Sequence, residues 1–285
     1  MEVDVYQTDG RVEKKIALPE VFGTAFNEDI VRRALLAEQS REYQPQGRYL
    51  LAGMDTSASY TGRYGTYRTQ RHTGLPPRPR QRLAKGGMGA VRKIPSSVKG
   101  RRAHPQKVEK TIIERINRKE YEKALSSAVA GTGNSALIKQ NHTYQKGTLP
   151  LVVSSQIEKI SRTRELLKVL SALGLSEDIS RSHDPRLNQG KRRKVAKRYF
   201  RNSVLIVAKD SSSVEKAGRN IPGVDVLGVD RMKVEKLAPG ARPRLTVWSE
   251  AAFLSLAEGI GKSVMNARGT ETKQKAHMVK EMVMQ

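Results

Sequence analysis

The chain contains no cysteine, so disulfides, thiolate nucleophiles and cysteine-based zinc sites are excluded together. No apolar run approaches the roughly 18 residues that a membrane-spanning helix needs. The amino terminus, with Glu2 and Asp4, lacks the basic and apolar regions of a secretion signal. A cytoplasmic location without a membrane partner is therefore expected. Acidic residues are scarce: 28 Asp and Glu stand against 53 Lys and Arg, a net charge of +25. That surplus exceeds what solubility requires, and it points to nucleic acid as the partner.

The scarcity is sharpest from Thr56 to Val108, which holds thirteen Lys and Arg, seven glycines and no acid. Such a stretch cannot build a core, because it has few large apolar groups and no carboxylate to accompany a buried cation. Prolines at 76, 77, 79, 95 and 105 oppose any long helix or central strand. The expectation is an extended loop which, folded back as a hairpin, can project up to about 80 Å. Tyr60, Tyr64 and Tyr67 alternate with Arg63 and Arg68, setting flat faces for stacking beside cations for phosphates. A plain solvated linker is the competing reading.

The flanking chain looks structured. VDVY and RVEKKIAL surround the turn signal Asp9-Gly10 and predict a hairpin. Asn27 or Glu28 begins a helix through Glu38. Beyond the loop, residues 110 to 132 predict one long helix with Ile112, Ile116, Leu125 and Val129 on one side, so that helices hold both feet of the loop. From residue 149, apolar runs LPLVV, SVLIVA, VDVLGV and RLTVW alternate with helical stretches at 163 to 174, 212 to 219, near 233 and 249 to 258. Strands apolar on both faces and joined through helices argue for an α/β fold: a mainly parallel central sheet flanked by helices, with a long extended basic loop. The expected divisions are 1–40 and 109–258 for the body, 41–108 for the loop, and 259–285 for a polar tail whose VKEMVM has the composition of a docking segment.

A second basic run, RLNQGKRRKVAKRYFR at 186 to 201, has eight cations and no acid. Its Val195, Ala196, Tyr199 and Phe200 suit a helix with cations outward, either a second RNA contact or a solvated face. Chemistry of other kinds finds little support. GIGKS at 259 to 263 has Leu256 where a phosphate-binding loop needs its first glycine. The five histidines lack metal-ligand spacing, and most are expected at the surface or on RNA. Asp178, Asp184, Asp225 and Asp230 read as caps and turn residues. No enzyme, cofactor or metal is expected.

The order of TSASYTGR, GGMGAVRK, LPLVV, a basic run ending in SVLIV, AGRNIPGVDVL and KLAPGARPRLTVWSEAAF closely resembles the fourth protein family of the large ribosomal subunit, archaeal and eukaryotic type. The resemblance covers most of residues 1 to 257 and is most specific in RNIPGV and in the LAPG-to-WSEAAF segment. It implies a structural protein of the large subunit whose arm threads through ribosomal RNA to the polypeptide exit tunnel. It also implies contact there with the nascent peptide and with a neighbouring ribosomal protein that forms the same constriction. The family's tip motif falls on Thr61, Gly62 and Arg63, with Gly86, Gly87, Met88 and Gly89 nearby; LPPRPRQR departs from the family's more glycine-rich pattern.

The RNA-binding residues expected from these readings are Arg48, Arg63, Arg68, Arg71, Arg78, Arg80, Arg82, Lys85, Arg92, Lys93, Lys99, Arg101, Arg102 and Lys107. The second run adds Arg186, Lys191, Arg192, Arg193, Lys194, Lys197 and Arg198. Two other functions compete: a free RNA-binding regulator of translation, and an RNA-modifying enzyme on an α/β fold.

Overall fold

The computed structural model describes residues 2–84, 86–144, 147–188 and 197–257. The chain divides into two compact units, one formed by 1–40 with 114–285, the other by 41–113. In the first unit, the strands β1 (Glu2–Tyr6) and β2 (Val12–Ala17) form the expected antiparallel hairpin. Helix α1 (Glu28–Ser40) follows, started by Asn27, whose Oδ1 accepts the amides of Asp29 at 3.1 Å and Ile30 at 3.3 Å. The second unit holds two short paired strands, β3 (Arg80–Arg82) and β4 (Met88–Val91).

The body resumes with α2 (Arg118–Gly131) and the single turn α3 (Ser135–Ile138), then β5 (Leu151–Val153), α4 (Thr163–Ala172) and α5 (Ser176–His183). A small ribbon, β6 (Arg186–Asn188) with β7 (Lys197–Tyr199), precedes β8 (Leu205–Ala208) and α6 (Ser212–Gly218). The chain ends its described part through β9 (Asp225–Gly228), α7 (Val234–Leu237), β10 (Thr246–Ser249) and α8 (Glu250–Ala257).

Six strands make one sheet in the order β2-β1-β5-β10-β8-β9, parallel throughout except at the β2 edge. Both faces are covered, which is why the strands read as unbroken apolar runs. The two-residue period sorts them cleanly. Val152, Leu205, Val207 and Trp248 join the cluster packed by α1, α2, α7 and α8. Leu151, Val153, Ile206 and Val247 face the opposite cluster with α4 and α6. Helix α4 stops at the glycine the sequence suggested: Gly174 has φ +79°, Leu175 N donates to Leu170 O at 3.0 Å, and Gly174 N to Ser171 O at 3.0 Å.

Three expectations need correction. The helix expected over 110–132 starts only at Arg118. The β-branched Thr111-Ile112-Ile113 run is a weak helix former, and Ile112 and Ile116 are only half-buried, so apolar spacing alone did not suffice. The second foot of the loop is therefore extended chain, not helix. The basic run at 186–201 shows paired strands at its described ends, where Tyr199 and Phe200 remain about half exposed instead of facing a core. Asp225 is a strand residue bonded to Arg244, not a turn residue. The segments 189–196 and 258–285, with GIGKS and the docking expectation for VKEMVM, lie outside the described residues.

Candidate nucleic-acid interface

Among the described residues of 41–113 there is no helix, and only Ala58 and Gln70 are buried. Their structure is held by polar contacts between short segments. Ser59 N donates to Arg80 O at 3.2 Å, Gln70 N to Thr61 O at 2.8 Å, and Gln70 Nε2 to Ser59 O at 3.0 Å. Arg82 Nη2 donates to Thr61 Oγ1 at 2.9 Å, so the strand β3 lies between the Thr61 segment and the β4 strand that begins at Met88. Gly86, in the turn between the two strands, has φ +83°. A Cβ on Gly100 would meet the backbone oxygen of Ile94 at 1.9 Å, so that position requires glycine, and one on Gly62 would meet the exposed Tyr60 ring at 2.8 Å and displace it.

The cations of this unit face outward. Arg48, Arg63, Arg68, Arg71, Arg78, Arg82, Lys99, Arg101, Arg102 and Lys107 are exposed, and Arg80, Arg92 and Lys93 are half-buried. Lys85 lies outside the described residues. Among the described residues no ion pair involves any residue from 41 to 113; every one belongs to the body. Tyr64 and Tyr67 are 76% and 82% exposed, and the Arg68 guanidinium sits 5.2 Å from the Tyr67 ring centroid. Of the tunnel candidates, Gly86, Gly87 and Met88 are exposed, while Thr61, Gly62 and Gly89 are half-buried. The unit thus presents unpaired cations and open aromatic faces with almost no interior.

The second run is only partly described. Arg186, Lys197 and Arg198 lie on the β6–β7 ribbon, and Lys191, Arg192, Arg193 and Lys194 fall outside the described residues.

The sequence reading missed a polar network at the amino-terminal ends of the parallel strands. Arg244, 1% exposed, sends Nε to Ser203 O at 2.5 Å, Nη2 to Gly223 O at 2.6 Å and Val204 O at 3.2 Å, and Nη1 to Asp225 Oδ2 at 2.6 Å. One guanidinium therefore ties together the entries of β8, β9 and β10. Burial pushes the Asp225 carboxyl up, but the charge and hydrogen bond of Arg244, with help from Lys236, hold it below the usual carboxylate range.

Beside it, Asp178 is wholly buried in the first turn of α5. It accepts from Ser203 Oγ at 2.7 Å and Thr143 N at 3.1 Å, lies 3.1 Å from His142 Nδ1, and pairs with Arg181 at 2.8 Å. Burial raises its carboxyl, yet His142, Ser203 and the Thr143 amide together bring it below the ordinary value. The carboxylate stands between serine and histidine, so His142 does not bond the hydroxyl and the group lacks the serine–histidine contact of a catalytic triad. His142 is thereby a buried structural residue, an exception within the expectation that most histidines lie at the surface or on RNA. The one clue was a charged residue, Arg244, opening an otherwise apolar strand.

At the opposite ends of the strands, where open α/β sheets commonly bind ligands, Glu158 is hydrogen-bonded to two of them. Its Oε1 accepts from Lys209 N at 2.8 Å and Ser249 Oγ at 2.6 Å. That places a carboxylate just beyond β8 and at the end of β10.

Residues 16–259 match the model of the family described as "Ribosomal protein L4/L1 family". A protein of Archaeoglobus fulgidus named large ribosomal subunit protein uL4 is 40% identical over 261 residues, covering 90% of this chain and 99% of the relative. The proteins of the same name from Methanocaldococcus jannaschii and Methanospirillum hungatei are 36% and 39% identical, each over 90% of this chain and 99% and 98% of their own lengths.

Proposed function

Because this chain belongs to the ribosomal protein L4/L1 family, we propose that it is a structural constituent of the large ribosomal subunit, in the cytoplasm, and that residues 41–113 are its principal grip on ribosomal RNA. The observation that carries this reading is the contrast between the units: among the described residues every ion pair lies in the body, and the cations of the 41–113 unit form none. Nine arginines and four lysines in 56–108 neutralise phosphates that RNA segments would otherwise hold apart. Guanidinium forks also suit bidentate phosphate contacts and stacking. The four exposed or half-exposed features Tyr60, Tyr64, Tyr67 and Arg68 supply base-stacking faces.

In this proposal the segment runs as an extended arm, and Thr61, Gly62 and Arg63, with Gly86 to Gly89, line the exit tunnel beside the nascent peptide and a neighbouring ribosomal protein. The resemblance to the family's tip motif supports that assignment, as does the Arg82–Thr61 bond that links the two glycine-bearing segments through β3. The family match and the large-subunit names of the relatives favour this reading over an RNA-modifying enzyme. Sucrose-gradient sedimentation of a cell lysate tests the proposal: the protein is expected with large subunits at moderate salt, and residence only in the soluble fraction would refute it.

A further inference from the structure

The body carries another basic feature, at the end of the 186–201 run and beside the Asp178 network. A surface pocket of about 520 Å³ is lined by Asn141, His142, Arg181, Arg201, Asn202 and Arg242, among others. Arg181 is committed at its tips, to Asp178 at 2.8 Å and to Asn141 O, but its Nε is buried without an acceptor. The Nε of Arg201 is likewise buried and unsatisfied. Neither Arg201 nor Arg242 has a carboxylate within ion-pair distance among the described residues; Arg242 donates only to Asn141 Oδ1 at 3.2 Å.

A guanidinium partly withdrawn from water, with a donor unused and no counter-charge, is costly unless an anion completes it. Among the described residues no Asp or Glu lines the pocket, and Asp178, the partner of Arg181, is wholly buried and already shared by His142 and Ser203. The pocket therefore stays positive. Its volume exceeds what a lone phosphate fills and lies in the range of small-molecule sites. The side-chain amides of Gln140 and Asn202, which also line it, make no hydrogen bond among the described residues and remain free to read a base edge.

We propose that this pocket seats one unpaired nucleotide of RNA, with its phosphate on Arg201 and Arg242 and its base against the Asn202 and Gln140 amides. Guanidinium forks match phosphate oxygens, and splayed single-stranded bases are what amide side chains reach in RNA. An acidic peptide also satisfies the cations, and its backbone can pair with the amides; the net charge of +25 and the RNA-bound reading above favour the nucleotide. The inference rests on the RNA-bound reading above and adds a contact on the body, outside 41–113.

The test uses the full chain and a transcript of large-subunit ribosomal RNA. Arg201→Gln combined with Arg242→Gln is expected to weaken binding about tenfold, and to lower the slope of log affinity against log salt by about 1.4 to 1.8 for two lost phosphate contacts. Arg201→Lys with Arg242→Lys, which keeps the charges, is expected to restore the slope, separating charge loss from misfolding. With a 4-thiouridine-substituted transcript, photo-adducts are expected on peptides holding Asn141 and Asn202, and their loss in the Gln pair. A Gln pair that binds with wild-type slope and affinity overturns the pocket while leaving the RNA-bound reading intact. A wild-type chain that ignores the transcript sinks that reading itself. Polyglutamate that binds wild type more tightly than the transcript does, and loses that binding in the Gln pair, makes the partner an acidic peptide and overturns the proposal.

Discussion

The Ser40 hydroxyl accepts the backbone amide of Glu114 at 3.0 Å while donating to Ala37 O at 2.9 Å. These residues flank the whole 41–113 segment, so one buried side chain at the end of α1 joins the points where the chain leaves and re-enters the body. Replacing it with alanine removes both bonds. Ser40→Ala is expected to cost about 1 to 3 kcal/mol in urea unfolding, the net value of two such bonds at about 0.5 to 1.5 kcal/mol each. Faster amide exchange at Glu114 is the residue-level readout.

Arg244 should be far less tolerant. Arg244→Met strips three carbonyls and Asp225 of their donor and leaves a partly buried carboxylate with only Lys236 nearby. Breaking a buried pair by removing one partner typically costs about 3 to 5 kcal/mol. Chemical denaturation should show a lower midpoint of that order, and a wild-type midpoint would mean the guanidinium is dispensable.

Acid should expose the two carboxylates. Asp178 and Asp225 both lie below their ordinary values in the folded state. A lowered folded value means that the stabilisation is present above the unfolded value, about 3.9, and is lost as pH falls through the folded value. Stability should therefore hold from pH 7 to about 5 and decline steadily below about 4. Asp178→Asn should be less stable at pH 7 and show a shallower acid decline.

The Tyr144 hydroxyl behaves oppositely. Burial, assisted by Tyr6, pushes it up to about 12. Because the folded state favours the neutral phenol, its contribution is complete below the unfolded value of about 10 and disappears as pH rises towards 12. Absorbance titration at the phenolate band should show a late-ionising component, and Tyr144→Phe should reduce it by one tyrosine.

Protease sensitivity should divide the chain at its unit boundaries. With Ala58 and Gln70 as the buried residues of 41–113, ordering this segment costs roughly 1 kcal/mol per residue in backbone entropy with little apolar return. Trypsin is expected to cut first between Arg63 and Lys107 in RNA-free buffer, leaving the body intact. Ribosomal RNA should protect those sites, whereas equal resistance without RNA would contradict an RNA-dependent arm.

Much of the body was legible because its signals are local. Strands such as Leu205–Ala208 are buried on both faces and so read as apolar runs, and α4 carries its own stop at Gly174. The unpaired basic character of 56–108 follows from composition, since a stretch without acids cannot neutralise itself. The helix misread over 110–117 shows the limit of that evidence: Ile112 and Ile116 had the right spacing, but periodicity does not say whether a surface exists to cover them.

The amino-acid order by itself determined the α/β alternation, the helix starts at Asn27 and stop at Gly174, and the excess positive charge, because each depends on neighbours a few residues apart. Only the tertiary structure decided that β10 inserts between β5 and β8, that Arg244 closes three strand entries, and that Arg201 and Arg242 share a pocket with Asn202. Those relations join residues tens of positions apart, and the free energy that selects them comes from packing two helical layers onto one sheet, which no local window contains.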